Sequence, residues 1–160
     1  MKPSIKYSIL TCFGIAMGYL EAVVVVYIRK ILTLEGIVDL TKMVVSRIPP
    51  TLIRIEISRE VATIIMLVTL SLLIEKNKWM RLSVFLWAFA VWDIFYYASL
   101  KILIDWPQSL TTIDCLFLIP CPWIAPVWVP LLIMPIFLIA SIWIRVKINE
   151  RTKYLTPLST

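Results

Sequence analysis

The sequence predicts an all-α integral membrane protein, a single domain in which four transmembrane helices form a bundle. The chain is 61% hydrophobic and only 16% charged over 160 residues, whereas soluble domains are about half apolar and a quarter charged. The apolar residues also fall in runs that approach the length of a bilayer-crossing helix, about 20 residues. Because a soluble domain of this size could not cover so much apolar surface, we expect lipid to cover part of it.

The first predicted span covers residues 7–28, in which Glu21 is the only charged residue. As a helix these residues would rise roughly 33 Å, enough to cross a hydrocarbon core of about 30 Å. The run is too long for an ordinary signal sequence, so we expect a retained helix. In residues 29–50 apolar positions recur at helical spacing, which predicts an amphipathic helix at the membrane interface. That apolar face would consist of Leu40, Met43, Val44 and Ile48.

The second span is predicted at residues 56–75. The uncharged run 61–74 is too short to cross alone, so the helix must extend back through Arg59 and Glu60. Its start stays open, because residues 52–58 alternate in part as a strand does.

The third and fourth spans are predicted at residues 82–104 and 127–144, with Asp93 near the middle of the third. Between them, prolines and tryptophans predict an irregular or re-entrant outer loop, which would form either a stiff cap or only an interfacial anchor. Asp114 is a candidate cap for a short helix in this loop. Pro130 and Pro135 predict a kink in the fourth helix.

The distribution of Lys and Arg predicts the orientation. Basic residues cluster at both termini and in the turn after the second span, whereas residues 105–126 contain none. Because cytoplasmic loops carry the excess of positive charge, we expect the chain in the cell membrane with both termini cytoplasmic. Residues 29–60 hold six Lys and Arg and count against this orientation, although long loops carry less of the signal.

Several classes of function are disfavoured. The chain has no histidine, which removes the commonest metal ligand and the usual general base. No CxxC pair and no glycine-rich phosphate loop occurs, so we expect no metal and no cofactor. The net charge of +6 forms no continuous basic stripe, which favours membrane lipid over nucleic acid as a partner. Cys115 and Cys121 would be either a disulfide or two free thiols.

Charged residues inside the spans are the candidate functional residues, because each costs about 2.5–3.5 kcal/mol at the bilayer centre unless it faces protein or water. Glu21 shares a helix face with Gly14 and Gly18, a small-residue pair that lets helices pack closely. We therefore expect Glu21 to face another helix. Asp93, Tyr97 and Lys101 recur at i, i+4 and i+8 on the third span. The predicted polar pocket, open to the outer side, comprises Glu21, Arg59, Glu60, Asp93, Tyr97, Lys101 and Asp105.

Three stretches of the chain resemble those of small prokaryotic polytopic membrane proteins that have no assigned activity. They are GYLEAVVVVYIR, SREVATIIML and the run VWDIFYYASLKILIDWPQSLTTIDCLFLIPCPWIAPVWVP, which together lie within residues 14–130. The resemblance implies a compact helical bundle in a cell inner membrane. It carries over no catalytic residue.

Three functions stay open at this stage. The leading hypothesis is that the polar cluster binds or transports a small solute or cation, with Glu21 or Asp93 exchanging a proton. An enzyme would act on a lipid-like substrate, with Glu60 or Asp93 as general base and Arg59 or Lys101 holding an anionic head group. An accessory subunit or homo-oligomer would instead use Gly14 and Gly18 to face another chain. The alternative to any functional site is that buried ion pairs such as Arg59–Glu21 and Lys101–Asp93 simply fix helix register.

Overall fold

The computed structural model describes residues 3–34 and 49–155. This part of the chain contains four long α-helices and one β-hairpin, which lies between the third and fourth helices. All four helices are long and apolar enough to cross a membrane, with mean hydropathies between 1.4 and 2.2. The amphipathic helix predicted at residues 29–50 falls largely outside the described residues. The elements are α1 (Pro3–Leu34), α2 (Pro50–Ile74), α3 (Lys78–Ile104), β1 (Ile113–Phe117), β2 (Trp123–Pro126) and α4 (Trp128–Leu155).

The central helix of the bundle is α3, against which α1, α2 and α4 each pack. It begins at an Asn77 cap, whose side-chain oxygen accepts hydrogen bonds from the backbone amides of Trp79 and Met80 at 2.9 and 3.3 Å. It ends at Asp105, which adopts the left-handed conformation (φ 53°) that aspartate tolerates better than most residues. This turn directs the chain out of the bundle and into the hairpin.

Two glycines set the distance between α1 and α3. A Cβ atom at Gly18 would lie 2.5 Å from the carbonyl oxygen of Trp92, and one at Gly14 would lie 2.8 Å from Cγ1 of Val91. The close helix contact predicted from this small-residue pair is therefore present. It lies within the chain, so the expectation that these glycines face a partner chain is wrong.

Hydroxyl groups join three helices at the end of the bundle that carries both termini, which we call the terminal end. Ser83 and Ser141 each donate to the other's carbonyl oxygen, at 2.9 and 2.7 Å, and the Tyr7 hydroxyl lies 2.7 Å from that of Ser83. Lys6 forms an ion pair with Glu75 at the same end. The opposite end, closed by the β-hairpin, is the hairpin end.

The second helix begins at Pro50, so the partial strand pattern of residues 52–58 is misleading. Proline is favoured in the first turn of a helix, because its fixed φ suits the helix and its missing N–H is not needed there. The amides of Leu52 and Ile53 donate to the Pro49 carbonyl at 3.0 and 3.1 Å, which closes that first turn. The backbone is thus committed to a helix before the apolar run starts.

The outer loop folds as an antiparallel hairpin rather than as a helix or an irregular segment. Asp114 lies in β1 opposite Ala125, so its predicted role as a helix cap is wrong: the backbone groups of this segment are satisfied by the second strand. Cys115 lies opposite Ile124, and all three cysteines are free. Of the two prolines expected to kink α4, only Pro135 lies inside the helix beyond its first turn.

The two helices at the periphery of the bundle, α2 and α4, leave most of their apolar surface uncovered. In their most hydrophobic stretches, α2 and α4 bury 22% and 17%, against 39% and 44% for α1 and α3. Side chains such as Leu73, which is 81% exposed, form continuous apolar faces. Such faces are rare on soluble monomers and suit contact with acyl chains.

Candidate functional site

A cavity of about 290 Å³ lies between α1, α2, α3 and the β-hairpin. It forms because α2 packs mainly on α3 and leaves a gap beside α1. One part of its wall is apolar and the other part carries charged groups, an arrangement typical of small-molecule sites. The apolar part includes Val25, Ile28, Leu52, Ile53, Leu116 and Ile124.

Most of the residues predicted for a polar pocket meet in this cavity, as do several that were not predicted. Five carboxylates and two guanidinium groups line it, which leaves an excess of negative charge if all are ionised. The predicted residues present are Glu21, Arg59, Glu60, Asp93 and Tyr97, and the additional charged ones are Arg29, Glu56 and Asp114.

Lys101 and Asp105 are not part of the cavity. Their side chains are 51% and 86% exposed and pair with each other at 2.7 Å, outside the bundle. Lys101 lies about two turns beyond Asp93, near the end of α3, where its side chain reaches Asp105. The left-handed turn at Asp105 carries that residue outward. The ion pair considered between Lys101 and Asp93 therefore does not form.

Arg59 is held between two carboxylates. It lies 3.0 Å from Glu21 across the gap between α1 and α2, and its Nε donates to Glu56 at 2.7 Å. The second Glu21 oxygen accepts a hydrogen bond from the indole nitrogen of Trp92 at 2.8 Å. The predicted Arg59–Glu21 pair is thus present. Together with Glu56, these two residues form a group of three charges whose net charge is −1 when all are ionised.

Two side chains, those of Glu60 and Tyr97, fasten the hairpin over the cavity. Both oxygens of Glu60 accept from the backbone amide of Leu118, at 3.1 and 2.9 Å, and the Tyr97 hydroxyl donates to Asp114 at 2.9 Å. Burial raises the pKa of Asp114, an effect that the Tyr97 hydrogen bond and the charge of Arg29 partly offset. Glu60 and Tyr97 therefore hold the cavity roof in place.

Two groups in the cavity wall have polar atoms that lack a partner. Within residues 3–34 and 49–155, the buried side-chain atoms without a hydrogen bond are Oδ2 of Asp93 and Nε of Arg29. Arg29 is only 4% exposed, and its guanidinium group lies 3.9 Å above the ring of Trp106. Buried polar groups are nearly always satisfied, so these two atoms indicate where a ligand would bind.

A sequence signal for Arg29 did exist. Glu21, Val25 and Arg29 are spaced at i, i+4 and i+8, so they share one face of α1. Arg29 was instead assigned to the interface, because it follows the apolar run directly. Asp114 gave no comparable signal, since its position depends on strand pairing with residues 123–126.

The structure thus defines a four-helix bundle of membrane type with a partly polar cavity beneath a β-hairpin. No protein-family model, curated protein or solved structure matches this chain. Among the described residues, no three Cys, Asp or Glu side chains are placed to hold a metal ion together. Function must therefore be inferred from the chemistry of the cavity itself.

Proposed function

We propose that this is a multi-pass membrane protein that binds or transports a small solute or cation in the cavity. The observation that carries the proposal is the buried, unpartnered oxygen of Asp93 in the wall of a 290 Å³ space. An unpaired carboxylate at membrane depth is costly and usually marks a ligand or ion pathway. The proposed orientation has both termini in the cytoplasm and the hairpin on the outer side of the cell membrane.

The charge balance of the wall favours a ligand with a cationic group. Five carboxylates face two guanidinium groups, and one of these, Arg59, is already shared by Glu21 and Glu56. An organic ammonium group fits this wall better than a bare metal ion, since the described carboxylates are not grouped as metal ligands. Either an ammonium group or a proton would neutralise Asp93, so exchange of one for the other would couple solute binding to proton release.

Binding of methylammonium to the purified protein in lipid vesicles tests this proposal. We expect Asp93→Asn and Glu21→Gln to lower the affinity at least tenfold, because a hydrogen bond to a charged group contributes about 1.5–3 kcal/mol. Asp105→Asn is the matched control, since it removes a carboxylate of α3 outside the cavity. If both cavity variants fold and bind methylammonium as the unmodified protein does, the proposal fails.

A second candidate is an enzyme that acts on a lipid-like substrate, and the gap between α1 and α2 beside the apolar wall favours it. Glu60 is a poor general base there, because both its oxygens accept from Leu118. Asp93 would be the base, with Arg29 rather than Lys101 at the head group. Chemical conversion of a phospholipid by the reconstituted protein, lost in Asp93→Asn, would favour this candidate over simple binding.

A further inference from the structure

We infer that the ligand of this cavity is a zwitterion whose ammonium group pairs with Asp93 and whose carboxylate or phosphate group pairs with Arg29. The inference rests on the proposed function and goes beyond it, because it adds an anion subsite and an apolar one. It starts from two atoms of opposite character, Oδ2 of Asp93 and Nε of Arg29, which line one cavity and lack hydrogen bonds within the described residues.

The two cavity arginines differ in a way that makes Arg29 the anion subsite. Arg59 uses Nε and both terminal nitrogens on Glu56 and Glu21, so it has little left to offer a ligand. Arg29 forms no ion pair with a described residue. The carbon of its guanidinium group lies 3.9 Å from the centre of the Trp106 ring, so a cation–π contact holds the group without using its N–H donors. A guanidinium group held in this way binds a planar carboxylate or a phosphate well.

The cavity carboxylates differ in a similar way. Glu21 and Glu56 pair with Arg59, while Glu60 and Asp114 accept hydrogen bonds from Leu118 and Tyr97. Among these carboxylates, Asp93 alone has a buried oxygen without a partner within residues 3–34 and 49–155. The negative charges of Glu21 and Asp114 act on it as well, which favours a cation at this position.

The two subsites are displaced from each other along the bundle. Tyr97 lies one turn beyond Asp93 on α3, a rise of roughly 6 Å, and its ring stacks on Trp106 with centroids 6.3 Å apart. Arg29 lies on Trp106, so its charge is displaced from that of Asp93 toward the hairpin end. The ligand therefore binds with its ammonium group deep in the cavity and its anionic group near the hairpin.

The apolar wall adds a third requirement. Leu52 and Ile53 of α2, Ile28 of α1 and Ile124 of the hairpin line the same space. A ligand with an apolar substituent would cover these side chains. Two sources share this chemistry: an apolar amino acid and the head group of a zwitterionic phospholipid with its proximal acyl carbons.

The inference can be tested on the unmodified protein by comparing zwitterions with analogues that lack one of the two charges. The probes are L-leucine, leucine methyl ester and 4-methylpentanoate, with dioctanoyl phosphatidylethanolamine and dioctanoyl phosphatidylglycerol for the lipid source. We expect one zwitterion, leucine or phosphatidylethanolamine, to bind at least tenfold more tightly than its singly charged analogues in titration calorimetry. The zwitterion that binds identifies the source.

Variants then assign the subsites. Arg29→Gln should weaken zwitterion binding about tenfold or more without weakening methylammonium binding, because the loss of a cavity cation cannot disfavour a bound cation. Asp93→Asn should weaken both. Arg29→Lys should recover part of the affinity. Arg145→Gln is the matched control, because it removes an arginine that also lies on an aromatic ring, Tyr7, but at the terminal end. Thermal unfolding and size-exclusion profiles identify any variant that does not fold.

Failure of the inference and failure of the proposed function give different results. If methylammonium binds through Asp93 but leucine methyl ester binds as tightly as leucine, and phosphatidylethanolamine does not bind, the zwitterion inference is overturned and the proposed function stands. The same holds if a folded Arg29→Gln protein keeps full zwitterion affinity. If methylammonium and both zwitterions fail to bind the unmodified protein, both are overturned.

Discussion

Cys115 lies in β1 beside the cavity, where burial raises the pKa of its thiol to about 11, assisted by the negative charges of Asp114 and Glu60. The thiolate is the reactive form, so at pH 8 only about one Cys115 in a thousand can react. The same residue is half-buried rather than fully covered, so small reagents can reach it. Its reactivity therefore reports on both burial and occupancy of the cavity.

We predict that maleimide modification of Cys115 accelerates about tenfold per pH unit between pH 7 and 10 in the folded protein. The thiolate fraction rises with pH and does not level off below a pKa of about 11. The measurement requires a Cys12→Ser, Cys121→Ser background, because both of these cysteines are exposed. In denaturing detergent the rate should level off near the ordinary cysteine pKa of about 8.5. A plateau near that pH in the folded protein would refute the prediction.

For charged residues within the first three spans, avoidance of lipid could be predicted from the free-energy cost of insertion alone. Glu21 and Asp93 had to face protein, because an ionised side chain in lipid is too costly. Lys101 satisfied the same argument by lying near the end of α3, where it reaches solvent and Asp105. The sequence did not show which charged residues would face the cavity and which would reach solvent. Both arrangements avoid the cost of an ionised side chain in lipid, and they differ only in the rotation of α3 and in where it ends.

Among the elements, α1 and α3 depend on each other most closely, through two glycines that differ in what they contact. A Cβ at Gly18 would meet the Trp92 carbonyl oxygen and the Tyr96 amide nitrogen, which are backbone atoms that cannot rotate away. At Gly14 the nearest atoms belong to the side chain of Val91. The helix can adjust to an added methyl group more easily at Gly14 than at Gly18.

We predict that Gly18→Ala destabilises the protein by about 1–2 kcal/mol, because the cost of overpacking exceeds the gain in helix propensity. The melting temperature in detergent should fall by roughly 2–8 °C. Gly14→Ala is the comparison variant and should lose less stability. Equal or greater stability of Gly18→Ala would show that α1 and α3 are not as close as this contact requires.

The hairpin is the element that sequence reasoning could not supply. The four helices follow from apolar runs, which are local and need no partner to be recognised. The pairing of β1 with β2 depends instead on contacts between residues such as Asp114 and Ala125, with an irregular register between Cys115 and Phe117. Prolines in and between the strands interrupt the alternation of apolar and polar residues that would predict strands. Those prolines therefore predicted an irregular loop instead.

The whole molecule has two chemically different ends. Contacts at the terminal end involve Lys6, Glu75 and Arg145, so the start of α1, the end of α2 and the second half of α4 lie together. At the hairpin end, residues 105–126 contain no Lys or Arg. Each of the four membrane-length helices among the described residues would cross the bilayer once in the proposed topology, which would put the start of α1 and the end of α4 on one side. The charge difference predicts which side that is.

The main argument against this orientation is weakened by the structure. Residues 29–60 hold six Lys and Arg, which would favour placing this segment in the cytoplasm. Two of the six, Arg29 and Arg59, line the cavity between helices. Their charges stabilise the site rather than a loop, so fewer positive charges oppose the proposed topology than a count along the sequence implies.

Reporter fusions in a bacterial host should therefore give opposite results at the two ends. We predict that green fluorescent protein fused after residue 160 is fluorescent and that alkaline phosphatase at the same position is inactive, because both would be cytoplasmic. Alkaline phosphatase inserted between Ser109 and Leu110, in the exposed connection before β1, should be active. An active C-terminal phosphatase would reverse the orientation and place the hairpin end toward the cytoplasm. Because the charges of Arg29 and Asp93 stay in place in either orientation, only the compartment that supplies the ligand would change.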